Sequence, residues 1–335
     1  SGNNKWLEYN DVYFYIKDNG FLRYTVEKIG GAYYGFDNAG KMYADELFNI
    51  SKAWNGESYE NRWFYANTSG TLTTNKWMTY RRDKYYFGAD GASFDGMRII
   101  DGVQYYFYGG SRLITNGAYS LDEKNYVSDS KGIVHETVGN NKWFYVDGKY
   151  YYVKNGSFLK NCVEKINGAY YAFQNNGCMY ANVIFNMSMD GTYYHAGKSG
   201  ALSTDGWYIN GSEKYYFGSD AKGYEGVHTI DGKQYLFQSG RLTVDGAVTY
   251  DGKNYICDKD GNIKVITVNN KWVNQDGIYY YVKDNKFLID CVEKIGNEFY
   301  GFNFKGKMYD NAVFNIHWHD DEGDCHDSSL SLIHI

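Results

Sequence analysis

The sequence repeats itself, and this self-similarity limits the folds open to it more than any other feature. Residues 3–50, 140–187 and 269–316 align without a gap, and 20 of the 48 positions are identical in all three blocks. A tryptophan recurs near the start of each block, at Trp6, Trp143 and Trp272. Duplications of this kind build arrays in which each repeat packs against its neighbours. The sequence therefore predicts a repeat protein.

A shorter unit lies inside these blocks. KYYFGADG at 84–91 matches KYYFGSDAKG at 214–223, and residues 100–113 match residues 230–242. An aromatic triplet followed by a turn ending in glycine begins about fourteen times, mostly 19 to 25 residues apart. Two short strands and a tight turn fill that length, so each unit is predicted to be one β-hairpin.

Composition agrees with this interpretation. The chain has 38 Tyr and 39 Gly, and it has no Pro. Aromatic residues favour strands, whereas Gly, Asn and Asp favour turns that need positive φ. A lone hairpin is marginal in water, so each must stack on the next. We therefore predict an all-β fold, a solenoid of about fourteen stacked β-hairpin repeats that forms one elongated domain over residues 1–316.

Residues 317–335 form an atypical tail. The third block stops at Ile316, where the two earlier copies continue with Ser51 and Ser188. The tail contains His317, His319, Cys325 and His326, which are residue types of a zinc site. Because the similarity breaks so abruptly, we discount a metal site. Our hypothesis is that residues 317–335 are artefactual or disordered.

Charge and cysteine content exclude several classes of function. The net charge of −6 and a pI of about 5.7 argue against nucleic acid, because phosphate binding needs clustered Lys and Arg. No apolar run is long enough for a membrane span. Cys162 and Cys291 occupy one repeat position that Thr25 fills in the first copy. A small half-buried side chain explains that position, and we predict no metal and no cofactor.

The carboxylates do not form a recognisable catalytic centre. Glu27, Glu164 and Glu293 recur at one position of the three blocks, whereas a glycosidase centre is a single asymmetric pair. Asp258 and Asp260 imitate the start of a calcium loop, but the distal Glu is missing. Turn capping explains such aspartates. We therefore predict no catalytic residues.

Two stretches, 204–223 and 229–246, resemble the cell-wall-binding repeat superfamily. Its members include choline-binding modules, the glucan-binding repeats of glucosyltransferases and the repetitive region of large clostridial-type toxins. The resemblance spans roughly residues 9–316. It implies a hairpin solenoid on a secreted Gram-positive surface protein or enzyme, with the ligand held between neighbouring repeats.

The resemblance also bears on the ligand. Choline sites of the family use two Trp from successive Gly-Trp motifs, which suit a quaternary ammonium through cation–π attraction. Here Gly206-Trp207 keeps the pair, but its duplicate is Lys76-Trp77. Because Tyr replaces most of the Trp, stacking on sugars is favoured over choline capture.

The candidate ligand-binding residues are the aromatics nearest the family's Trp positions. In a repeat array, an aromatic residue is more often core than ligand platform, so packing is the alternative for each of them. Trp77 and Trp207 are favoured because they match in two copies. The set consists of Trp63, Trp77, Tyr86, Trp143, Trp207, Tyr216 and Trp272.

These observations predict a non-catalytic binding module, secreted or on the bacterial cell surface. The expected partner is cell-wall polysaccharide, teichoic-acid choline or glucan, with neither nucleic acid nor a membrane span. Three alternatives stay open. The chain could be a choline-binding anchor of a wall hydrolase, a piece of an enzyme whose catalytic domain precedes Ser1, or an adhesin or toxin-type region that binds host glycans.

Overall fold

The chain forms strands and tight turns. The computed structural model describes residues 3–54, 58–187, 191–310, 312–319 and 325–332, with only the backbone given at 52–54, 58–61, 313–319 and 325–332. Regular secondary structure in this part of the chain is entirely β. Within it, no helix has the length and apolar character needed to cross a membrane. The prediction of an all-β fold is confirmed.

The structure divides into two units, which are taken separately. The first comprises residues 1–163 and 173–179, and the second comprises residues 164–172 and 180–335. The strands of the first unit are β1 Lys5–Tyr9, β2 Val12–Lys17, β3 Gly20–Phe21, β4 Thr25–Ile29, β5 Ala32–Phe36, β6 Glu46–Trp54, β7 Ser58–Ala66, β8 Lys76–Tyr80, β9 Asp83–Phe87, β10 Gly96–Ile100, β11 Val103–Tyr108, β12 Arg112–Leu113, β13 Gly117–Leu121, β14 Lys124–Ser128, β15 Val134–Thr137, β16 Lys142–Val146, β17 Lys149–Lys154 and β18 Ser157–Phe158.

The division between the units falls within β19 Cys162–Ile166 and β20 Ala169–Phe173. The strands of the second unit are β21 Val183–Asn186, β22 Tyr193–Ala196, β23 Gly206–Asn210, β24 Glu213–Phe217, β25 Gly226–Ile230, β26 Lys233–Gln238, β27 Arg241–Leu242, β28 Gly246–Tyr250, β29 Lys253–Cys257, β30 Ile263–Ile266, β31 Lys271–Gln275, β32 Ile278–Lys283, β33 Lys286–Phe287, β34 Cys291–Ile295, β35 Glu298–Phe302, β36 Ala312–His319 and β37 Cys325–Leu332.

Each sheet is a hairpin of two strands, some with a short third strand, and its strands follow sequence order. The connections are tight because Asn, Asp and Gly accept positive φ. In the first hairpin Tyr9 pairs with Val12, and the two residues between them, Asn10 and Asp11, have φ of 51° and 58°. Two consecutive positive φ values are those of a type I′ turn, whose twist matches that of the strands.

Several pairs of neighbouring hairpins within each unit are joined by the same backbone hydrogen bond. The second residue after a hairpin's turn glycine donates its N–H to a carbonyl on the second strand of the preceding hairpin. In the first unit Met42 donates to Tyr13 and Leu72 donates to Tyr33, both over 2.8 Å. In the second unit Met308 donates to Tyr279, also over 2.8 Å. These hairpins are thus held to their neighbours by backbone as well as by side chains.

Phenylalanine at the end of the second strand forms the core. These side chains are at most 1% exposed, and they fill the space between one hairpin and the next within each unit. Burying one contributes about 1.5–3 kcal/mol relative to leaving it in water. The set is Phe36, Phe87, Phe107 and Phe173 in the first unit and Phe217, Phe237 and Phe302 in the second.

The tail continues the last repeat as a hairpin. Strand β36 pairs with β37, from Ala312 opposite Leu332 to His319 opposite Cys325. The structure does not describe the side chains of His317, His319, Cys325 and His326, so the predicted residue types of a zinc site lie outside the described part of the chain. The hypothesis that residues 317–335 are artefactual or disordered stays a prediction.

Candidate functional site

The tryptophan at the start of each long block stands in a box of aromatic rings. Trp6 on β1 packs edge to face on Tyr15 at 5.1 Å and on Tyr34 at 4.8 Å, and Phe36 lies 6.0 Å away. Tyr15 belongs to the same hairpin, whereas Tyr34 and Phe36 come from the following one. We call such a set of one Trp, two Tyr and one buried Phe an aromatic box.

The aromatic box recurs with nearly constant geometry. In every copy the Trp lies about 5 Å from both Tyr rings and about 6 Å from the Phe. The further copies are Trp77 with Tyr86, Tyr105 and Phe107, Trp207 with Tyr216, Tyr235 and Phe237, and Trp272 with Tyr281, Tyr300 and Phe302. Within the first unit, Trp143 repeats the contacts with Tyr152 at 4.9 Å and Phe173 at 5.9 Å.

Strand register explains half of each box. Trp77 lies directly opposite Tyr86, and Trp207 lies directly opposite Tyr216, in antiparallel pairs. Directly opposed side chains project from the same face and meet. The structure thus brings together two pairs of candidate residues that the sequence had singled out separately.

The boxes are open to solvent at the Trp edge. Trp6, Trp207 and Trp272 are 37%, 41% and 36% exposed, although the Phe behind each is fully buried. An indole held on one side and uncovered on the other is a rigid platform, because little side-chain freedom remains to be lost on binding. The arrangement suits a ligand with an apolar face and polar edges.

A cavity of about 840 Å³ lies beside the first box. Trp6, Tyr34 and Met42 form its apolar wall, and Tyr13 and Tyr43 add phenol groups. A volume of this size is typical of small-molecule sites. The cavity joins two neighbouring hairpins, since Tyr13 lies on β2 and Tyr34 lies on β5.

A second cavity, of about 620 Å³, lies beside the Trp272 box. Trp272, Tyr279, Tyr300, Met308 and Tyr309 line it. In the alignment of the third block on the first, these are the positions of the five aromatic and Met residues of the first cavity. Two copies of the repeat thus form the same cavity independently, one in each unit.

The two cavities differ in charge. The first is lined by Asp11, Asp37, Glu46 and Lys41. At the equivalent positions the second has Gly277, Asn303, Ala312 and Lys307, and Asp310 is its one acidic lining residue. The first cavity is therefore the more acidic.

This negative charge affects the phenols of the first cavity. Burial raises the pKa of Tyr43, and the carboxylates of Asp37 and Glu46 raise it further. The carboxylate of Glu8 raises the pKa of Tyr13. Both phenols therefore stay protonated and can donate hydrogen bonds at neutral pH.

The boxes of the second duplicated stretch lack the methionine. Phe36 forms an isolated antiparallel β-bridge with Met42, and Phe302 forms the equivalent β-bridge with Met308. At the corresponding bridge Phe107 pairs with Leu113 and Phe237 pairs with Leu242. Both leucines are buried. The long blocks and the second stretch thus present two versions of one box.

Two of the predicted residues stand apart. The ammonium of Lys84 lies 4.5 Å from the centre of the Trp77 ring, so a cation of the protein itself covers one face of that indole. Trp63 lies on β7 outside the four described boxes. A Cβ added at Gly110 would lie 3.5 Å from its Nε1, so the indole packs against that turn.

Sequence reasoning missed several residues of the site. Trp6, Tyr34, Met42, Tyr300 and Met308 line the two cavities but were not among the candidates. The signal was present, because Trp6 aligns with Trp143 and Trp272 and the Met recurs in all three blocks. The candidates were chosen near the family's Trp positions, and of the three equivalent tryptophans only Trp143 and Trp272 were included.

No protein-family model matches the chain. Among curated proteins, it is 26% identical over 239 residues to glucosyltransferase-S of Streptococcus mutans, covering 65% of this chain and 16% of that protein. It is 27% identical over 192 residues to glucosyltransferase-I of Streptococcus downei, covering 51% of this chain and 12% of that protein. The chain thus spans less than a fifth of the length of these relatives.

Solved structures with some similarity come from Streptococcus pneumoniae. Choline binding protein F is 22% identical, with 79% of this chain and 99% of that chain covered and a TM-score of 0.33. The same protein in the presence of a peptidoglycan analogue is 21% identical, with 80% of this chain and 100% of that chain covered and a TM-score of 0.33. The modular autolysin LytC is 20% identical, with 72% of this chain and 53% of that chain covered and a TM-score of 0.29.

Proposed function

We propose, from the premise that this chain consists of cell-wall-binding repeats, that it is a non-catalytic module that holds carbohydrate of the cell wall or a glucan. This premise rests on residues 204–223 and 229–246, and the similarity to two glucosyltransferases supports it. In this proposal the chain is part of a secreted Gram-positive surface protein or enzyme, and its partners are wall polysaccharide or glucan.

The observation that carries the proposal is the pair of equivalent cavities beside half-exposed tryptophans. The flat faces of a sugar ring carry C–H groups that pack on an indole, and its hydroxyls meet phenol groups at the edge. Both kinds of group line each cavity, with Trp6 and Tyr13 in the first and Trp272 and Tyr279 in the second. A repeating polymer is matched by a repeating site.

The proposed architecture is a solenoid of about fourteen stacked hairpins in one domain over residues 1–316. The bonds from Met42 to Tyr13 and from Leu72 to Tyr33 support stacking in the first unit. In the second unit, Val273, Tyr280 and Val282 pack with Ala247 and Ile256 of the preceding sheet. In this proposal the ligand sites are the grooves between adjacent hairpins.

The absence of catalysis is part of the proposal. Glu27 and Glu293, the recurring carboxylates, each form an ion pair of 3.0 Å with a lysine of the preceding hairpin, Lys17 and Lys283. The Glu27 carboxylate raises the pKa of Lys17, which keeps the lysine charged. Recurrence of the same ion pair supports a structural role for these glutamates. Any catalytic domain belongs to another part of the protein.

A second candidate ligand is a quaternary ammonium such as teichoic-acid choline. The specific observation is the first cavity, where Asp11, Asp37 and Glu46 lie around Trp6 and Tyr34. Carboxylates and aromatic faces both attract a cation. The second cavity has only Asp310 and lacks this advantage. Choline capture would therefore concern the first cavity more than the second.

The proposal is tested by retention of the purified chain on bacterial cell walls, insoluble α-glucan and host mucin. We expect retention on walls or glucan, and loss of it in the double variant Trp6→Ala/Trp272→Ala. Tyr108→Ala is the matched control, because Tyr108 is a 64% exposed aromatic outside both cavities. Preference for mucin would favour an adhesin. Elution by choline chloride but not by free sugar would favour the second candidate, and no retention on walls or glucan would refute the proposal.

A further inference from the structure

We propose that the first unit carries a second kind of sugar subsite, polar rather than aromatic, at the cavity formed by Arg62, Asp90, Ser93, Asp95 and Arg98. It takes a neutral, hydroxyl-rich group of the same polymer, so the inference rests on the proposed function. The sequence analysis assigned none of these residues to a site.

The cavity has a volume of about 840 Å³, and its lining residue Phe94 packs on Tyr86 of the Trp77 box at 5.0 Å. Arg62 comes from β7, Asp90 and Ser93 come from the turn after β9, and Arg98 comes from β10. Phe94 is the aromatic residue of its lining, and the other side chains are polar or small. A ligand here would be held mainly by hydrogen bonds.

An unpaired hydroxyl lies in its wall. The Oγ of Ser93 is buried and has no hydrogen-bond partner in the protein. A buried hydroxyl without a partner is costly, and native structures pair such groups with protein or water. The Ser93 hydroxyl can both donate and accept, so it would gain a partner if rotation about χ1 turned it toward a ligand hydroxyl in the cavity.

The side chains around the cavity are partly fixed in place. The Arg62 guanidinium forms an ion pair with the Asp90 carboxylate, and the backbone N–H of Ala92 donates to Asp90 Oδ1 over 3.0 Å. Burial by itself would raise the pKa of Asp90, but these hydrogen bonds outweigh it and lower the pKa. A preorganised pair of this kind loses little freedom when a ligand binds.

Asp95 and Arg98 supply hydrogen-bonding capacity for a ligand. Both side chains are exposed at the cavity. Arg98 donates one N–H to the carbonyl of Met97 over 2.8 Å, and a guanidinium carries five N–H donors. The Asp95 carboxylate offers only acceptors. Sugar hydroxyls use donors and acceptors side by side.

Charge selects a neutral ligand. Arg62 and Arg98 contribute two positive charges, and Asp90 and Asp95 contribute two negative charges. The Asp95 carboxylate would repel an anion, and the Arg98 guanidinium would repel a cation. For either ion this repulsion would offset the attraction to the oppositely charged side chains. A hydroxyl-rich neutral group uses all four side chains without that conflict.

The duplicate of this cavity in the second unit is smaller, at about 400 Å³. Thr192 replaces Arg62, and Gly223 replaces Ser93. Glu225 replaces Asp95, and its Oε2 is engaged by the backbone N–H of Gly240 over 3.0 Å. His228 replaces Arg98 and stacks on Tyr224 at 3.9 Å. The duplicate therefore lacks both guanidiniums and the unpaired hydroxyl, and it serves as an internal control.

The test measures affinity of the full chain for bacterial cell walls and for insoluble α-glucan. On whichever of these retains the wild-type chain, Asp95→Ala/Arg98→Ala should lower the affinity roughly tenfold, because two charged hydrogen-bonding groups are lost. The matched change in the duplicate, Glu225→Ala/His228→Ala, should leave the affinity within about twofold.

Ser93→Ala separates ligand binding from folding. This variant should unfold at the same or a higher temperature, because it removes an unsatisfied group. It should nevertheless bind the polymer more weakly, whereas a purely structural serine would change both together.

Two outcomes would overturn the inference. If the wild type is retained but Asp95→Ala/Arg98→Ala binds equally well, this subsite is refuted and the aromatic boxes are not. If about 0.5 M NaCl abolishes the affinity difference between wild type and variant, the ligand is charged and the neutral class is wrong. Failure of the wild type to bind walls and glucan would refute both proposals.

Discussion

In the proposed function, each box tryptophan has a packing role and a binding role, and one substitution can separate them. Trp207 packs on Tyr216 and Tyr235 and at the same time leaves 41% of its surface to solvent. Its buried neighbour Phe237 provides the core packing. The indole can therefore be lost without opening the core, which is the condition for a clean test of its binding role.

Trp207→Ala should weaken polymer binding by about 1–3 kcal/mol, by analogy with the stacking of nucleic-acid bases on aromatic side chains. Binding isotherms on walls or α-glucan measure this, and the melting temperature reports the fold. Trp63→Ala is the comparison, because Trp63 packs against the turn at Gly110 and should affect melting more than binding. Unaltered retention together with a lower melting temperature would assign Trp207 to the core.

A histidine in the second unit makes stability depend on pH. His195 stacks on Tyr208 at 3.6 Å, and its Nδ1 lies 2.7 Å from Ser203 Oγ. Burial lowers the pKa of His195. The unfolded chain, where the pKa is about 6.5, then binds the proton more readily than the folded chain does.

Stability should therefore fall as the pH drops through about 6.5, and this loss should level off below the folded pKa. His195→Gln should remove that part of the pH dependence. Urea unfolding of the wild type and the variant between about pH 7.5 and 5 checks the prediction. Parallel curves for the two proteins would contradict it.

Hairpins depend on close approach at particular glycines. Gly240 has φ of 73°, and a Cβ there would lie 2.7 Å from Cγ of Tyr193. Gly232 has φ of 78°, but a Cβ would meet nothing within 4 Å. The two positions thus share the same backbone cost and differ in packing.

Gly240→Ala should destabilise the chain clearly more than Gly232→Ala. Both substitutions should lower the free energy of unfolding by about 1–2 kcal/mol, because alanine is strained at positive φ. Only Gly240→Ala adds a steric clash, which should cost about 1–3 kcal/mol more. Denaturant midpoints of the two variants measure the difference. Equal midpoints would show that the ring of Tyr193 does not constrain this turn.

The hairpins themselves follow from the sequence. Their turns could be predicted because Asn, Asp and Gly accept positive φ, as Asn10 and Asp11 do. The cross-strand half of a box could also be predicted, since a two-residue turn fixes the register that sets Trp77 opposite Tyr86.

The other half of a box could not be predicted. Tyr105 and Phe107 reach Trp77 from the next hairpin. Their position depends on how two hairpins stack on each other. The spacing of residues along the chain does not determine that stacking arrangement. The cavity at Arg62 and Ser93 was missed for the same reason, because its residues come from successive hairpins.

At the scale of the whole chain, the proposed function implies several sites for one polymer, because the repeat is duplicated. The first cavity and the second repeat the same aromatic wall but differ at Asp11, Asp37 and Glu46. Two sites on one chain raise the effective affinity for a repeating ligand without any new contact.

The most direct test is a binding isotherm on insoluble α-glucan and cell walls for the wild type, Trp6→Ala, Trp272→Ala and the double variant, all checked for native melting. We predict that each single variant binds about 5 to 150 times more weakly and that the double variant is not retained, since stacking on each indole should contribute about 1–3 kcal/mol. A folded double variant that binds as tightly as the wild type would contradict the account.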